Sequence, residues 1–204
     1  GLYVPLFGGF CMVTLAAYAN SSWTPEFLRR VHGLTPGETG LTLGLLTLIF
    51  GTTGVLAGGR LADWLAQRGR ADAPVVAAMV GVALAWLPGV LAPLAPSREG
   101  AIAALAVREF FAVFPFPLAA AAIQMVTPNQ LRGQTTAVYF FSINIVGLGL
   151  GPTVTALLSD HVFTGEEGIR FSLATVTGAA APLALLLLAL ARGPYRRAAS
   201  ESAA

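Results

Sequence analysis

The sequence predicts an all-α, polytopic membrane protein with six transmembrane helices. Of its 204 residues, 55% are hydrophobic and only 11% are charged, whereas a soluble domain carries roughly 25% charged residues. Six apolar stretches are long enough to cross a hydrocarbon core about 30 Å thick, which needs about 20 helical residues. Short polar segments separate these stretches. We therefore expect residues 1–204 to form one bundle of helices surrounded by lipid.

The expected helices cover residues 4–23, 40–62, 75–95, 101–125, 133–158 and 171–191. Strands of a transmembrane barrel would alternate polar and apolar residues over about ten positions, and these runs are continuous instead. Pro115 and Pro117 predict a kink in the fourth helix, because each proline removes a backbone donor. Residues 192–204 are expected to form a tail after the last helix.

The arginines predict the orientation, because cytoplasmic loops of membrane proteins carry an excess of basic residues. One side of the expected bundle holds seven arginines and the other side holds four: Arg60, Arg68, Arg70, Arg132, Arg192, Arg196 and Arg197 against Arg29, Arg30, Arg98 and Arg170. The first side is therefore predicted to be cytoplasmic. Both termini and the tail are expected on that side of the cell membrane.

Small residues form a stripe along the second and fifth helices, where close packing in lipid depends on them. Two interpretations fit this pattern equally, a surface that rocks during alternating access and a rigid, tight interface. The stripe residues are Gly44, Gly51 and Gly58 in the second helix and Gly147, Gly151 and Pro152 in the fifth.

Polar side chains at membrane depth are candidates for a substrate path, since a charge at the bilayer centre costs about 2.5–3.5 kcal/mol on insertion scales. Arg108 fits an anionic substrate group and Glu109 fits a proton carrier; alternatively, both side chains reach back to the interface. The uncharged candidates fit either a polar cavity or hydrogen bonds between helices. They are Tyr18, Asn20, Tyr139 and Asn144.

The turn after the second helix reads GGRLADWLAQRGR. By itself, the turn fits either of two roles. It can be a basic loop that only fixes the topology, or a site where the acid binds the end of a neighbouring helix or an arginine. The turn resembles the signature loop of the major facilitator superfamily at Gly59, Asp63, Arg68 and Arg70. It departs from that signature at Trp64, where the family usually has a basic residue.

Two further stretches extend this resemblance to the whole chain. TPNQLRGQTTAVYFFSINIVGLGLGPTVTALLSD, which contains Arg132, resembles the fifth helix of a family half, and YANSSWTPEFLRRVHGLTPGETG resembles the end of the family's seventh helix. The resemblance implies that the chain is the C-terminal half of a twelve-helix transporter. Within the superfamily, the sequence is similar to bacterial spinster-like members of the inner membrane. Relatives of those members are proposed to export lysolipids and sphingoid phosphates. It also implies that the signature-loop residues and Arg132 form a cytoplasmic latch.

The predicted function is half of a secondary transporter that moves a small or lipid-like solute by alternating access, with proton or ion coupling left open. The expected partners are the bilayer, an N-terminal six-helix half and the solute. No cofactor is expected, since the chain has no lysine for an ATP-binding loop. A single cysteine does not favour a metal site, and a net charge of +2 is too small to indicate nucleic-acid binding. The alternatives are a membrane interaction module without transport and an intramembrane hydrolase; for the latter, no G-x-S-x-G or H-E-x-x-H motif is present.

Overall fold

The computed structural model describes residues 1–165 and 167–201, and this part of the chain forms six helical spans of membrane length. The predicted all-α fold with six transmembrane helices is confirmed. Residues 202–204 of the expected tail lie outside the described residues. The helices are α1 (Tyr3–His32) in span 1; α2 (Pro36–Leu46) and α3 (Thr52–Gln67) in span 2; α4 (Ala73–Leu94) in span 3; α5 (Arg98–Ala112) and α6 (Pro115–Met125) in span 4; α7 (Arg132–Ile143) and α8 (Gly151–His161) in span 5; and α9 (Gly168–Glu201) in span 6.

Two of the spans contain a π-helical segment, and a third is interrupted. A π-helical turn, Thr47–Gly51, joins α2 to α3, and a π-helical stretch, Asn144–Leu150, joins α7 to α8. Span 4 is interrupted between Ala112 and Pro115, at the position where the two prolines predict a kink. Because π-helical turns inside α-helices occur frequently at functional sites, the interiors of spans 2 and 5 are of particular interest.

Several spans are longer than predicted. Span 1 continues through the proline at position 25 to His32, and Glu26 pairs with Arg29 and Arg30 in this extension. Thr35 and Glu38 form a capping box that starts span 2 before residue 40. At the other terminus α9 continues through residue 201, so the described part of the expected tail is helix.

Buried side chains form two main clusters at opposite ends of the bundle. One includes Leu6, Leu65, Ile123 and Tyr195, which come from both terminal spans and from the helix ends next to residues 68–72 and 126–131. We call this the terminal end. The other cluster joins the far ends of spans 1, 2, 3, 4 and 6 and includes Phe27; we call this the opposite end. The spans therefore run alternately up and down.

The predicted glycine stripe of span 2 is tightly packed at one end and loosely packed at the other. A Cβ built at Gly58 would meet the ring of Phe114, and one built at Gly54 would overlap the carbonyl oxygen of Phe110. A Cβ at Gly44, however, meets nothing within 4 Å. Span 2 therefore packs tightly on span 4 only in its half nearer the terminal end.

The glycines of span 5 lie against span 1 over its middle. A Cβ at Gly147 would lie 2.8 Å from the Tyr18 ring, and one at Gly151 would lie 2.6 Å from the carbonyl oxygen of Leu15. Pro152 accepts a hydrogen bond at its carbonyl oxygen from the Trp23 indole at 3.0 Å. These contacts hold spans 1 and 5 at a distance that only small residues allow.

Candidate functional site

A cavity of about 230 Å³ opens between spans 1, 2 and 4. It lies toward the opposite end, beyond the tightly packed part of span 2. Its wall combines hydroxyl and amide groups with one arginine and one glutamate. The lining residues include Asn20, Ser21, Thr24, Leu43, Leu46, Thr47, Arg108, Glu109 and Phe116.

Arg108 and Glu109 are in the interior of span 4, as the sequence predicts. Arg108 lies ten residues beyond Arg98, where the 28-residue span begins, or about 15 Å along the helix. Arg108 Nη1 is 3.6 Å from Glu109 Oε2, and the two side chains are 12% and 24% exposed. Within the described part of the chain, Glu109 is the only acidic partner of Arg108. The guanidinium makes no hydrogen bond shorter than this 3.6 Å contact with any described residue.

Glu109 also contacts the π-helical turn of span 2. Thr47, the first residue of that turn, donates from Oγ1 to Glu109 Oε1 at 3.4 Å. A Cβ at Gly51, the last residue of the turn, would lie 3.7 Å from the same oxygen. The turn therefore brings the backbone of span 2 close to the carboxylate of span 4.

Asn20 joins this cavity to a smaller, mostly apolar one of about 50 Å³ that also borders Arg108. Asn20 is buried and donates from Nδ2 to the carbonyl oxygen of Ala16 at 2.8 Å and to Thr177 Oγ1 at 2.9 Å. The bond to Thr177 connects span 1 to span 6, and the two bonds together fix the amide in the wall that Asn20 shares with Arg108. The smaller cavity is lined by Met12, Val13, Val82, Ala85, Trp86, Thr177 and Ala181, among others.

The other predicted substrate-path residues are elsewhere in the bundle. Tyr139 is buried at the terminal end, where its ring packs edge-on against Phe7 and Phe10. Tyr18 packs on Gly147. Asn144 lies on an exposed face of span 5 and donates to the carbonyl oxygen of Phe140 at 2.7 Å. The structure therefore gathers Arg108, Glu109 and Asn20 and corrects the prediction for Tyr139, whose aromatic ring is part of the core.

The signature-loop residues lie at the terminal end, and most of them have no ionic partner among the described residues. Asp63 is exposed and makes no ion pair with a described residue. Arg68 stacks on the ring of Trp64 with 3.7 Å to the centroid, and Arg132 donates to the carbonyl oxygen of Thr127 at 3.2 Å. A Cβ at Gly59 meets nothing within 4 Å.

The acid that gathers arginines at this end is Asp72, which the sequence analysis missed. Its Oδ2 accepts from Arg192 Nε at 2.8 Å and from Arg196 Nε at 3.0 Å, and its Oδ1 lies 3.4 Å from Arg70 Nε. The Asp72 side chain is 2% exposed. Of the expected latch residues, only Arg70 belongs to this cluster, because the other two arginines come from span 6, 120 and 124 residues away along the chain.

Burial alone would raise the pKa of Asp72. The hydrogen bonds and charges of Arg192 and Arg196 outweigh that effect and lower its pKa below the ordinary value of 3.8. The carboxylate is therefore ionised at neutral pH. The sequence contains one signal for Asp72 as a helix-end residue: it directly precedes a helix that has proline in its first turn.

A second unpredicted group of contacts ties spans 3 and 6 together at the opposite end. The guanidinium of Arg170 donates to three carbonyl oxygens at the end of span 3, those of Pro93, Leu94 and Ala95, at 2.9, 3.0 and 3.2 Å. These carbonyls belong to the last turn of α4 and its C-cap, where the backbone oxygens have no partner within the helix. Arg170 is therefore a structural cap.

The comparisons with known proteins agree with this architecture. An MFS-type efflux pump of Mycolicibacterium smegmatis is 30% identical to the chain over 198 residues, which are 96% of the chain and 46% of the relative. No protein-family model matches the chain.

Two crystal structures of a bacterial homolog of the human lysosomal transporter Spinster, in inward-facing unoccupied and occupied conformations, have the same fold. Their TM-scores are 0.69 and 0.65 at 19% identity, and the matches cover 98% of this chain and 47% and 49% of theirs. The chain thus has the fold of these transporters and is similar over nearly its whole length to part of an MFS-type efflux pump. It is a multi-pass membrane protein that spans about half the length of the relatives it matches.

Proposed function

We propose that the chain is one half of a secondary transporter that moves a small or lipid-like solute by alternating access. The observation that carries this proposal is the cavity around Arg108 and Glu109, where a buried, loosely paired guanidinium faces open space at membrane depth. Charges in such positions usually line a solute or ion pathway. The MFS-type efflux pump among the relatives supports the same class of activity.

The proposed partner is an N-terminal six-helix half, which would cover part of spans 2 and 5. Only 17% and 22% of their apolar windows are buried in this chain, against 39% to 44% for spans 1, 3 and 6. Large apolar side chains are exposed along both spans, and lipid would cover those that the partner half leaves open. They include Leu41, Leu48 and Ile49 in span 2 and Phe140, Phe141, Ile145 and Leu148 in span 5.

In this proposal Arg108, Glu109 and Asn20 contact the solute directly. Asn144 begins the π-helical stretch of span 5 and Tyr18 packs against it. In this proposal the stretch would face the other half across the substrate path. Asp63 would act in the cytoplasmic latch from the partner-facing surface, together with Gly59, Arg68, Arg70 and Arg132. Both termini would be cytoplasmic, as the arginine distribution predicts.

Labelling of single cysteines in the whole protein tests the cavity and the orientation together. The chain's one cysteine, Cys11, is buried, so Cys11→Ser gives a suitable background. A membrane-impermeant thiol reagent added outside the cell should modify Ser21→Cys in the cavity. It should not modify Asn129→Cys, which is exposed at the terminal end.

Transport is then measured as efflux of a fluorescent dye panel from cells, with Arg108→Gln as the test variant. The proposal expects efflux of at least one dye by the wild-type protein and its loss in the variant at equal membrane abundance. Labelling of Asn129→Cys from outside would contradict the orientation. Wild-type efflux by Arg108→Gln would exclude this cavity from the pathway.

A further inference from the structure

Asn20 has unused hydrogen-bonding capacity, although its side chain is almost fully buried. The amide nitrogen donates one bond to the carbonyl oxygen of Ala16 at 2.8 Å and one to Thr177 Oγ1 at 2.9 Å. An asparagine amide has two N–H donors and one oxygen that accepts. The nitrogen is thus saturated, whereas Oδ1 makes no hydrogen bond with a described residue. The capacity that remains on Asn20 is therefore that of an acceptor.

The contact with Ala16 fixes the direction in which the amide faces. A backbone carbonyl oxygen can only accept a hydrogen bond, so the Asn20 atom that lies 2.8 Å from it has to be the nitrogen. A flipped amide would place two oxygens against each other in that contact. Oδ1 therefore lies on the other side of the amide, away from Ala16 and Thr177.

Oδ1 of Asn20 faces open space rather than protein. Within the described part of the chain, the buried side-chain nitrogen and oxygen atoms that lack a hydrogen-bond partner include no atom of Asn20. Since Oδ1 has no partner, it retains some exposed surface. The residue as a whole is only 2% exposed and borders both cavities. The exposed oxygen is therefore part of the cavity wall.

In the smaller cavity this oxygen is the one strong acceptor. Among the described residues that line it, Asn20 alone has an amide or carboxylate oxygen, and the Thr177 hydroxyl already accepts from Asn20. Arg108, in the same wall, has only donors, and most of the other lining side chains are apolar. A solute group that enters this space has to bring an N–H or O–H group, because an acceptor buried without a partner costs free energy.

Spans 3 and 6 hold the amide in this orientation. Thr177 belongs to span 6, and its methyl carbon Cγ2 would lie 2.9 Å from a Cβ built at Gly89 of span 3. The aliphatic part of Arg108 lies against the same glycine, with Cδ 3.5 Å from that Cβ position. Gly89 thus gives room to both side chains and places the residue that anchors Asn20 next to the arginine.

The two contacts at Gly89 differ in how they would tolerate a methyl group. The 3.5 Å distance to Arg108 is an ordinary van der Waals contact, whereas the 2.9 Å distance to Thr177 is too short for two carbon atoms. The threonine would have to rotate, although β-branched side chains are stiff at χ1. Because Cγ2 and Oγ1 share one carbon atom, this rotation would move Oγ1 away from the Asn20 nitrogen. Gly89 therefore positions Asn20 through Thr177.

We propose that Asn20 is a specificity-determining residue whose Oδ1 accepts a hydrogen bond from an N–H or O–H group of the solute at the smaller cavity, and that Thr177 and Gly89 are its positioning residues. The preferred solute is a molecule with a small hydrogen-bond donor, either a hydroxyl group or an amide N–H. This proposal rests on the proposed transport function and adds a requirement on the chemistry of the solute. It involves no change of charge in the site.

The test compares two ligands of the same shape, N-methylbenzamide and methyl benzoate, by calorimetry on the purified full-length protein. Both have a carbonyl oxygen that can accept from Arg108, but only the amide has an N–H group, which the ester replaces by an oxygen. We expect the wild-type protein to bind the amide about three- to tenfold more tightly, which is the effect of one net hydrogen bond. The ratio of the two Kd values is the readout, since a general loss of affinity leaves it unchanged.

Two variants test the acceptor and its anchor. Asn20→Leu removes the acceptor and should bring the ratio to about one. Thr177→Val keeps the shape of the anchor but removes its oxygen, so the ratio should fall although Oδ1 is still present. Thermal unfolding in detergent shows whether each variant retains its fold.

The role of Gly89 is tested by rescue. Gly89→Ala should lower the ratio, because the new methyl group displaces Thr177 Cγ2. Thr177→Ser removes that carbon and keeps the hydroxyl, so the double variant Gly89→Ala/Thr177→Ser should recover the wild-type ratio. The matched control is Gly178→Ala, whose Cβ would meet Val90 of span 3 at an ordinary 3.7 Å. This control should leave the ratio unchanged.

Several outcomes would overturn the proposal. They are no binding of either ligand, equal or tighter binding of the ester by the wild type, and a preference for the amide that survives in Asn20→Leu. A ratio in the double variant as low as that in Gly89→Ala would overturn the positioning roles. Dye efflux that persists alongside any of these results would contradict the acceptor site and leave the transport function standing. A preference that depends on Asn20, in a protein that exports no dye, would contradict transport alone.

Discussion

Two of the acid–arginine groups in this chain, one at the terminal end and one in the cavity, have the same chemistry and opposite degrees of saturation. At the terminal end Asp72 is 2% exposed and receives Arg192 and Arg196 at 2.8 and 3.0 Å. In the cavity Glu109 is 24% exposed and faces one arginine, Arg108, at 3.6 Å. A saturated carboxylate holds helices together, whereas a loosely paired one retains capacity for a ligand. The comparison thus distinguishes a structural charge cluster from a candidate binding site.

The glycines of span 2 show the same contrast between the two ends. Gly54 lies against the backbone of span 4, and Gly44 has open space where a side chain would be. The π-helical turn, Thr47–Gly51, separates the two regions. Close packing and saturated charges coincide toward the terminal end, and loose packing and the unsaturated pair coincide at the cavity.

The largest expected effect is that of Gly54→Ala on stability. The new methyl group would overlap the carbonyl oxygen of Phe110, so the backbones of spans 2 and 4 must separate, at a cost of about 3 kcal/mol. Thermal unfolding in detergent measures this loss. The matched control Gly44→Ala should change stability by less than about 1 kcal/mol, and equal losses in both variants would contradict the division of the stripe.

Asp72→Asn should destabilise the protein by about 2 kcal/mol, because it removes charge-assisted hydrogen bonds from Arg192 and Arg196. Both arginines are partly exposed, which limits the cost of leaving them without the acid. Chemical unfolding of purified protein measures the difference. Stability equal to that of the wild type would show that the cluster does not hold the terminal end together.

The contribution of Asp72 should disappear in acid. Because its folded-state pKa is below the ordinary 3.8, the stabilisation is fully present above that value and is lost as the pH falls through the folded-state pKa. The stability difference between the wild type and Asp72→Asn should therefore be constant from about pH 7 to pH 5 and shrink below about pH 4. A difference that shrinks already between pH 7 and pH 5 would indicate a raised pKa instead.

Glu109→Gln should change stability by less than about 1 kcal/mol, since the carboxylate has one long hydrogen bond and one long ion pair to lose. Its effect should be functional, with transport that no longer responds to a pH gradient. Vesicle transport with and without an imposed gradient measures this. A retained response would exclude Glu109 as the proton carrier.

Asp63→Asn should have the smallest effect on stability, below about 0.5 kcal/mol, because the side chain is exposed in this chain. If Asp63 acts in the latch with the other half, the substitution should nevertheless reduce transport while membrane insertion is unchanged. Asp63→Glu, which keeps the charge, serves as its control. Normal transport by Asp63→Asn would remove the latch role.

Much of the candidate site could be predicted because it depends on local properties of the sequence. Arg108 and Glu109 stand out as charges inside an apolar run, and their depth follows from helix geometry. Tyr139 gave the same signal of a polar group at depth, but its aromatic ring packs with Phe7 and Phe10. The sequence pattern does not distinguish a tyrosine in the core from one in a cavity.

The sequence by itself determined the solvent, the helical class, the number of spans and the depth of the charged pair, because hydropathy accumulates over neighbouring residues and each span satisfies its own backbone. The tertiary structure decided which acid meets which arginine, which glycines are tightly packed and where a cavity remains. Asp72 and Arg192 are 120 residues apart, and contacts at such separations depend on how the finished helices pack. The signature loop thus predicted Asp63 as the acid of the latch, whereas the packing of the helices pairs Asp72 with the arginines of span 6.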